Sequence, residues 1–449
     1  MSILLYADDI VLIADSPEQL QQMLDHTTQY ARRWHFRFNT KAGKSDVVAV
    51  GCSKKRLQEL RKVQFRLGEG VLRLSSEYKY LGVELGKVGK GSWSSYFGRI
   101  KAKAVVAANE LAYSVSGRSP LQLETVVHLF NTLVRSKLEY AGAVWAPSCS
   151  DTWFKGFDGV QAAFGRKVLR LSHKVAGEFV RRELGMASIK ERVVSAMLRY
   201  YGRLIAMPDS RLAGFIFRRR CEEVDLARGG KDKKNWCTKV KRWLTDLGCQ
   251  AYWRAAAVPS YWPSFVTVRV QRHLEADAEL RLLAKSSLET FRELGRQPLQ
   301  WWRQDEALRH PGAMVRSKLR AGAAPLMMAV GPRHHIPRDD RTCRICQSGQ
   351  LETAEHLVSH CPEYAAERGE CMARLRGVLL PHSTPMLQHA LDTAAVGLIL
   401  GDLMVRHLPA DVARRTDAII CGFLHAVWAK RSPLWLKFCQ DGNEWRLID

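Results

Sequence analysis

Ser2-Ile3-Leu4-Leu5-Tyr6-Ala7-Asp8-Asp9-Ile10-Val11-Leu12-Ile13-Ala14 sets two adjacent carboxylates between two apolar runs. Ile3 to Tyr6 and Ile10 to Ala14 are rich in Ile, Val and Leu and read as short buried strands, with Ala7-Asp8-Asp9 as the turn between them. A carboxylate pair at the tip of a tight hairpin has a specific use, because rigid strands fix the turn and neighbouring residues can aim both groups into one cleft. Two carboxylates stay ionised close together only when cations share the charge. A pair of magnesium ions (Mg2+) does this, and the same ions hold a triphosphate and lower the pKa of an attacking hydroxyl. An ordinary Asp-Asp turn has the same local sequence, so the surroundings carry the decision.

Downstream, Ser16, Pro17 and Gln19 form the start signal of a helix. Its apolar face is Leu20, Met23, Leu24, Thr27, Ala31 and Trp34. Asn39 to Lys44 reads as a loop and Val47 to Val50 as a strand ending at Gly51. Val63 to Leu67 and Val71 to Leu74 read as strands joined by Gly68-Glu69-Gly70, and Tyr78 to Val83 closes the β-rich portion. From about Ser92 the period turns helical, with segments over Trp93 to Leu111, Ser119-Pro120 towards Tyr140, Val160 to Leu171 and Ile189 to Met207. Ala227 to Lys234, polar and glycine-containing, reads as a linker or exposed loop.

The chain has 449 residues, enough for about two to four structural units. Hydrophobic residues are 46% and charged residues 25%, the balance of a soluble globular protein with a core. Lys and Arg number 69 against 45 Asp and Glu, a net charge of +24, which makes a polyanion the favoured partner. The 11 cysteines are mostly scattered, no signal peptide is evident, and the apolar stretch near Ala394 to Leu400 is too short to span a bilayer. The expectation is a soluble intracellular protein with reduced thiols and no membrane partner.

Tyr-Ala-Asp-Asp between apolar strands, a capped helix ending in Trp34, then Phe38-Asn39 and Lys44-Ser45 before a Val-rich strand resembles the palm of a reverse transcriptase. The likeness is to the non-LTR retrotransposon (LINE-type) class. It continues through Arg135-Ser136-Lys137-Leu138-Glu139-Tyr140, Arg166-Lys167-Val168-Leu169 and Arg199-Tyr200-Tyr201-Gly202-Arg203-Leu204, over roughly residues 1 to 215. The resemblance implies an RNA-directed DNA polymerase, a nucleotidyltransferase, in which Asp8 and Asp9 hold magnesium. Tyr6 and Ala7 would lie near the incoming nucleotide, and Tyr80, Leu81 and Gly82 would form the primer-grip hairpin. Lys44 would protonate the leaving pyrophosphate. Read without the resemblance, Tyr6 is a core aromatic, Lys44 a solvated lysine, and Tyr80 and Leu81 sheet core. The partners implied are an RNA template and a DNA primer or target, in nucleus and cytoplasm.

The same resemblance places a third catalytic aspartate and the nucleotide-binding fingers before the Tyr-Ala-Asp-Asp motif, where only five residues stand here. Asp15 abuts a helix start and Asp46 opens a strand, so neither substitutes. The expectation is a truncated polymerase, inactive alone, for which the missing palm and fingers portion is an implied partner. The competing expectation is a non-catalytic nucleic-acid-binding remnant. A group II intron maturase also uses Tyr-Ala-Asp-Asp, but its nuclease-type Cys/His arrangement differs from the one below.

Cys343 and Cys346 form a Cys-x-x-Cys half-site, and Thr353 can cap a short helix presenting His356. His360 lies one helical turn later on the same face and Cys361 follows, so either completes a zinc (Zn2+) site. The family resemblance favours Cys361. Arg33-Trp34, Trp236, Arg242-Trp243 and Trp302-Arg303 offer aromatic and basic groups for base stacking, although core packing is the commoner role of such tryptophans. No endonuclease constellation is visible in 366–449. The expected fold class is α+β: a partial polymerase palm of antiparallel β hairpins with a helix over 1–88, a mostly α-helical thumb-like domain over 89–226, a helical connector over 227–338, a zinc-knuckle-like unit over 339–366 and a helical tail over 367–449.

Overall fold

The computed structural model describes residues 2–86, 92–115, 121–226, 235–285, 288–294, 308–382, 384–401 and 404–440. The expected linker over Ala227 to Lys234, the start signal at Ser119-Pro120 and Trp302 lie outside the described residues. The chain divides into two compact units, Met1–Arg99 and Ile100–Asp449. It is mostly helical with a few small sheets. No helix among the described residues is long and apolar enough to cross a membrane.

In the first unit, β1 (Ser2–Tyr6) and β2 (Asp9–Ile13) form a two-stranded antiparallel hairpin with Tyr6 opposite Asp9. The strands were expected to be buried, and here the structure differs. Ile3, Leu4, Leu5, Tyr6, Ile10 and Ile13 are exposed, because among the described residues no third strand pairs with either one. Helix α1 (Pro17–Arg33) starts at Ser16, whose hydroxyl accepts the Gln19 N–H at 3.2 Å. Its Leu24 packs with Phe65, Leu67 and Leu72, and half-buried Leu12 and Leu20 join this small core.

β3 (Asp46–Val48) runs parallel to β5 (Gly70–Ser75), and β4 (Phe65–Leu67) pairs antiparallel with β5. The helix α2 (Lys54–Leu60), capped by Ser53, has no counterpart in the sequence reading. Gln21 of α1 saturates the free edge of β4, accepting from Arg66 N at 2.9 Å and donating to Arg66 O at 3.0 Å. β6 (Glu77–Tyr80) and β7 (Val83–Gly86) form a separate hairpin, turned by Leu81 (φ 47°) and Gly82 (φ 78°).

The second unit is helical. Phe130, Val134, Trp145, Phe157, Met197, Tyr201 and Trp262 fill one part of its interior. Trp262 lies against Gly202, where a Cβ would come within 2.4 Å of the indole, and donates its N–H to Leu198 O. A second core gathers the helices Pro311–Arg320, Ala365–Leu379 and Ala410–Gln440 around Leu357, Cys361, Leu375 and Leu424. Three buried ion pairs cross this region: Arg316 to Asp417 at 2.7 Å, Arg320 to Glu183 at 2.9 Å and Arg431 to Glu352 at 2.8 Å. Buried charges persist only when paired in this way.

Candidate metal centre and carboxylate hairpin

The carboxylate hairpin turns on two residues, Ala7 and Asp8, so Asp9 is already the first residue of β2. Ala7 takes φ 51°, a left-handed conformation that a Cβ disfavours by roughly 1–2 kcal/mol. Asp8 and Asp9 are both exposed, and Tyr6 before them is 63% exposed. Nearby, the Tyr78 hydroxyl of β6 donates to Lys44 O at 2.7 Å. Burial raises the pKa of Tyr78, and the negative charges of Asp9 and Asp46 raise it further. Tyr78 thus ties β6 to the loop ending at Lys44, and the charge of Asp9 reaches its hydroxyl. The Lys44 side chain is exposed, Tyr80 and Leu81 are half-buried, and Gly82 is exposed.

Asp46 is already spent. Its carboxylate, 1% exposed, takes Arg73 Nη2 at 3.0 Å, the Ser75 hydroxyl at 2.6 Å and the Gly43 N–H at 3.3 Å. Burial alone would raise its pKa; the hydrogen bonds from Ser75, Arg73 and Gly43 outweigh burial and hold it low. No third metal-binding side chain gathers with Asp8 and Asp9 among the described residues.

The Cys/His cluster is assembled. One ligand atom each from Cys343, Cys346, His356 and Cys361 lies within 4.8 Å of all the others. A tetrahedral zinc with Zn–S bonds of 2.3 Å sets its ligands about 3.7 Å apart, so little closure is needed. This group could hold a metal ion such as zinc. Cys343, His356 and Cys361 are buried and Cys346 is half-buried. The ten described cysteines are all free thiols.

Backbone geometry explains the assembly. Cys343 N–H donates to Gln350 O at 2.8 Å, closing a loop that turns at Gln347 (φ 54°) and Gly349 (φ 73°) and brings the Cys-x-x-Cys sulfurs together. Thr353 caps the next turn, accepting the His356 N–H at 2.9 Å. His356–His360 is a π-helical turn, closed by Cys361 N–H to His356 O at 2.7 Å. The i→i+5 bond holds the Cys361 backbone against His356 as the chain leaves the helix. Cys361 therefore completes the set, while the alternative ligand His360 turns outward, 53% exposed, to Glu355 at 3.6 Å.

His356 Nδ1 sits 2.9 Å from Gln350 Oε1 as donor, leaving Nε2 3.5 Å from Cys346 Sγ as the ligating nitrogen. The hydrogen bond shared with Cys361 pushes the Cys343 thiol up to about 12, with burial adding to it; the same bond holds Cys361 low. Metal uptake must displace the Cys343 proton.

Of the tryptophans, Trp34 is 62% exposed and begins a chain of rings, with Tyr30 at 6.1 Å, Phe36 at 6.1 Å from Tyr30 and Phe38 at 5.2 Å from Phe36. Trp236 instead packs against Tyr200 and Phe217 and donates to Ala143 O, a core role. Trp243 is half-buried beneath Lys190.

Gln350, Glu352, Arg368 and Arg431 surround the centre without having been legible as part of it. No family model, no curated protein and no solved structure matches the chain.

Proposed function

We propose that this chain is the palm-and-thumb portion of an RNA-directed DNA polymerase of the non-LTR retrotransposon type. The observation that carries the reading is the strained two-residue turn at Ala7, which leaves Asp8 and Asp9 adjacent and exposed. Backbone strain held at an exposed carboxylate pair is a mark of function rather than of stability. On this reading Asp8 and Asp9 would hold magnesium, which would supply charge stabilisation for an in-line displacement at a nucleotide α-phosphate, and Lys44 would be placed to give a proton to the leaving pyrophosphate. The Cys343, Cys346, His356 and Cys361 group holds zinc as a closed structural site, and the basic helical unit grips template and primer through phosphates.

The alternative, nucleic-acid binding without catalysis, draws on a specific observation: Asp46 is neutralised and no third carboxylate joins the pair among the described residues. One experiment tests both readings. The purified chain is mixed with a labelled DNA primer on an RNA template, with magnesium and deoxynucleotides, and both gel shift and primer extension are read. The expected result is binding that weakens steeply with salt, without extension. Extension abolished by Asp8→Asn and Asp9→Asn would make the pair catalytic within this chain. Absence of any binding would defeat both readings.

A further inference from the structure

Glu352 lies between the metal cluster and the last helix. Its Oε1 is 3.7 Å from Cys343 Sγ, with the thiol as donor, and 2.8 Å from Arg431 Nη1. Its Oε2 accepts the Met327 N–H at 2.6 Å. Glu352 is wholly buried and the Arg431 side chain is 1% exposed. Arg431 also donates to Pro325 O at 2.9 Å and stands over the Trp435 ring at 4.9 Å. On the opposite side, both terminal nitrogens of Arg368 donate to Cys361 O at 3.1 Å.

The charges explain why an arginine is needed here. Three thiolates and one neutral imidazole around a divalent metal leave one net negative charge. Glu352 adds a second beside Cys343. When Cys343 takes the metal it releases its proton to solvent, and the S–H to Glu352 hydrogen bond becomes a contact between two anions. Among the described residues Arg431 is the cation paired with that carboxylate, in a buried site where water cannot screen the repulsion.

We infer that Arg431, acting through Glu352, is a positioning residue and countercharge of the metal centre, so that metal loading and seating of the helix Ala410–Gln440 are one linked equilibrium. The inference rests on the metal-binding reading of the Cys/His group and is independent of the polymerase reading. By linkage, a metal that needs Arg431 seated must itself hold Arg431 in place.

The test measures zinc affinity of the full chain by competition with a chromogenic chelator, in the parent and in Arg431→Met, Glu352→Gln and the double variant. Arg431→Met leaves the carboxylate unpaired beside the thiolate, so zinc binding weakens by about 10-fold or more. Glu352→Gln removes the second anion, keeps one acceptor oxygen for the Met327 N–H and turns an N–H donor toward the Cys343 sulfur, so zinc binds as tightly as in the parent or more so. The double variant recovers most of the loss. Limited proteolysis supplies the second readout: chelator speeds cleavage within Ala410–Gln440 of the parent chain. A purely structural pair would instead lose zinc equally in both single variants and fall further in the double. That pattern, or a cleavage rate indifferent to chelator, overturns the inference. A parent chain that takes up no zinc removes the metal-binding reading as well. Should Arg431→Met fail to fold, Glu352→Gln still decides, because tighter or unchanged zinc affinity together with faster cleavage of the last helix is expected only from charge compensation.

Discussion

Asp8 and Asp9 stand on a two-residue turn between strands whose apolar side chains are largely exposed, whereas Cys343, His356 and Cys361 sit inside a core, with Thr353, Gln350 and Glu352 hydrogen-bonded around them. Both groups are candidate metal ligands. One is held by a single hairpin and is exposed. The other is held by a loop closed at Gln350 O, a π turn and a buried ion pair from the last helix. The difference separates two kinds of preorganisation. Thiolates and imidazole bind a structural ion tightly and need a dry, fixed frame. On the proposed reading Asp8 and Asp9 would exchange magnesium and substrate and so need the access that their exposed turn gives.

The sharpest way to break this contrast is at the buried centre. Cys361→Ser should abolish zinc retention, read as metal per chain by atomic emission. The melting transition should drop with it, since binding at such sites, on the order of 10 kcal/mol, is folding free energy. His360→Ala should change neither. If His360→Ala empties the site and Cys361→Ser does not, the π-turn account of the ligand set is wrong.

A second, smaller effect tests the frame below that centre. Gly312 lies where the helices Pro311–Arg320 and Ala410–Gln440 touch, and a Cβ there would fall 1.8 Å from Cys421 O. A backbone carbonyl cannot swing aside as a side chain can, so Gly312→Ala forces the helices apart. The expected cost is about 3 kcal/mol, read from the urea midpoint at constant slope. The Arg316–Asp417 ion pair spans the same two helices and should be strained together with it. A change under about 0.5 kcal/mol would mean that the helices are not held at this distance.

What could be read from residues alone follows the same division. The hairpin, the Ser16 cap, the β4–β5 turn and the long helices are local, and their periods and caps are written in adjacent residues. The Cys-x-x-Cys and its histidine were legible for the same reason. The choice between His360 and Cys361 was not, because it depends on a π turn that no local pattern announces. Arg431 was invisible because its partner Glu352 lies far away in the chain. The exposure of β1 and β2 was misjudged for a related reason: a run of Ile, Val and Leu signals a strand that wants cover, and says nothing about whether a neighbour supplies it. The short helix Lys54–Leu60 is mostly polar, and its half-buried Leu57 and Leu60 are too few to reveal a helical period.

The smallest expected effect lies at the other pole of the comparison, in the turn itself. Ala7 holds φ 51° in a position where glycine is the ordinary choice. In a typical element interior, Ala→Gly costs about 0.5–1 kcal/mol through the freedom of the unfolded chain. At Ala7 the substitution also removes the steric penalty of a left-handed alanine, roughly 1–2 kcal/mol. The two oppose, and the second is larger, so Ala7→Gly should stabilise the hairpin by up to about 1 kcal/mol. Ala31→Gly, on the buried face of α1, should destabilise by about 1 kcal/mol. Amide hydrogen exchange across Ser2–Ile13 measures the first and exchange along Pro17–Arg33 the second. Opposite signs would establish that the carboxylate turn stores strain. Matching losses at both positions would show that Ala7 is relaxed, and would remove the observation on which the functional reading of Asp8 and Asp9 chiefly depends.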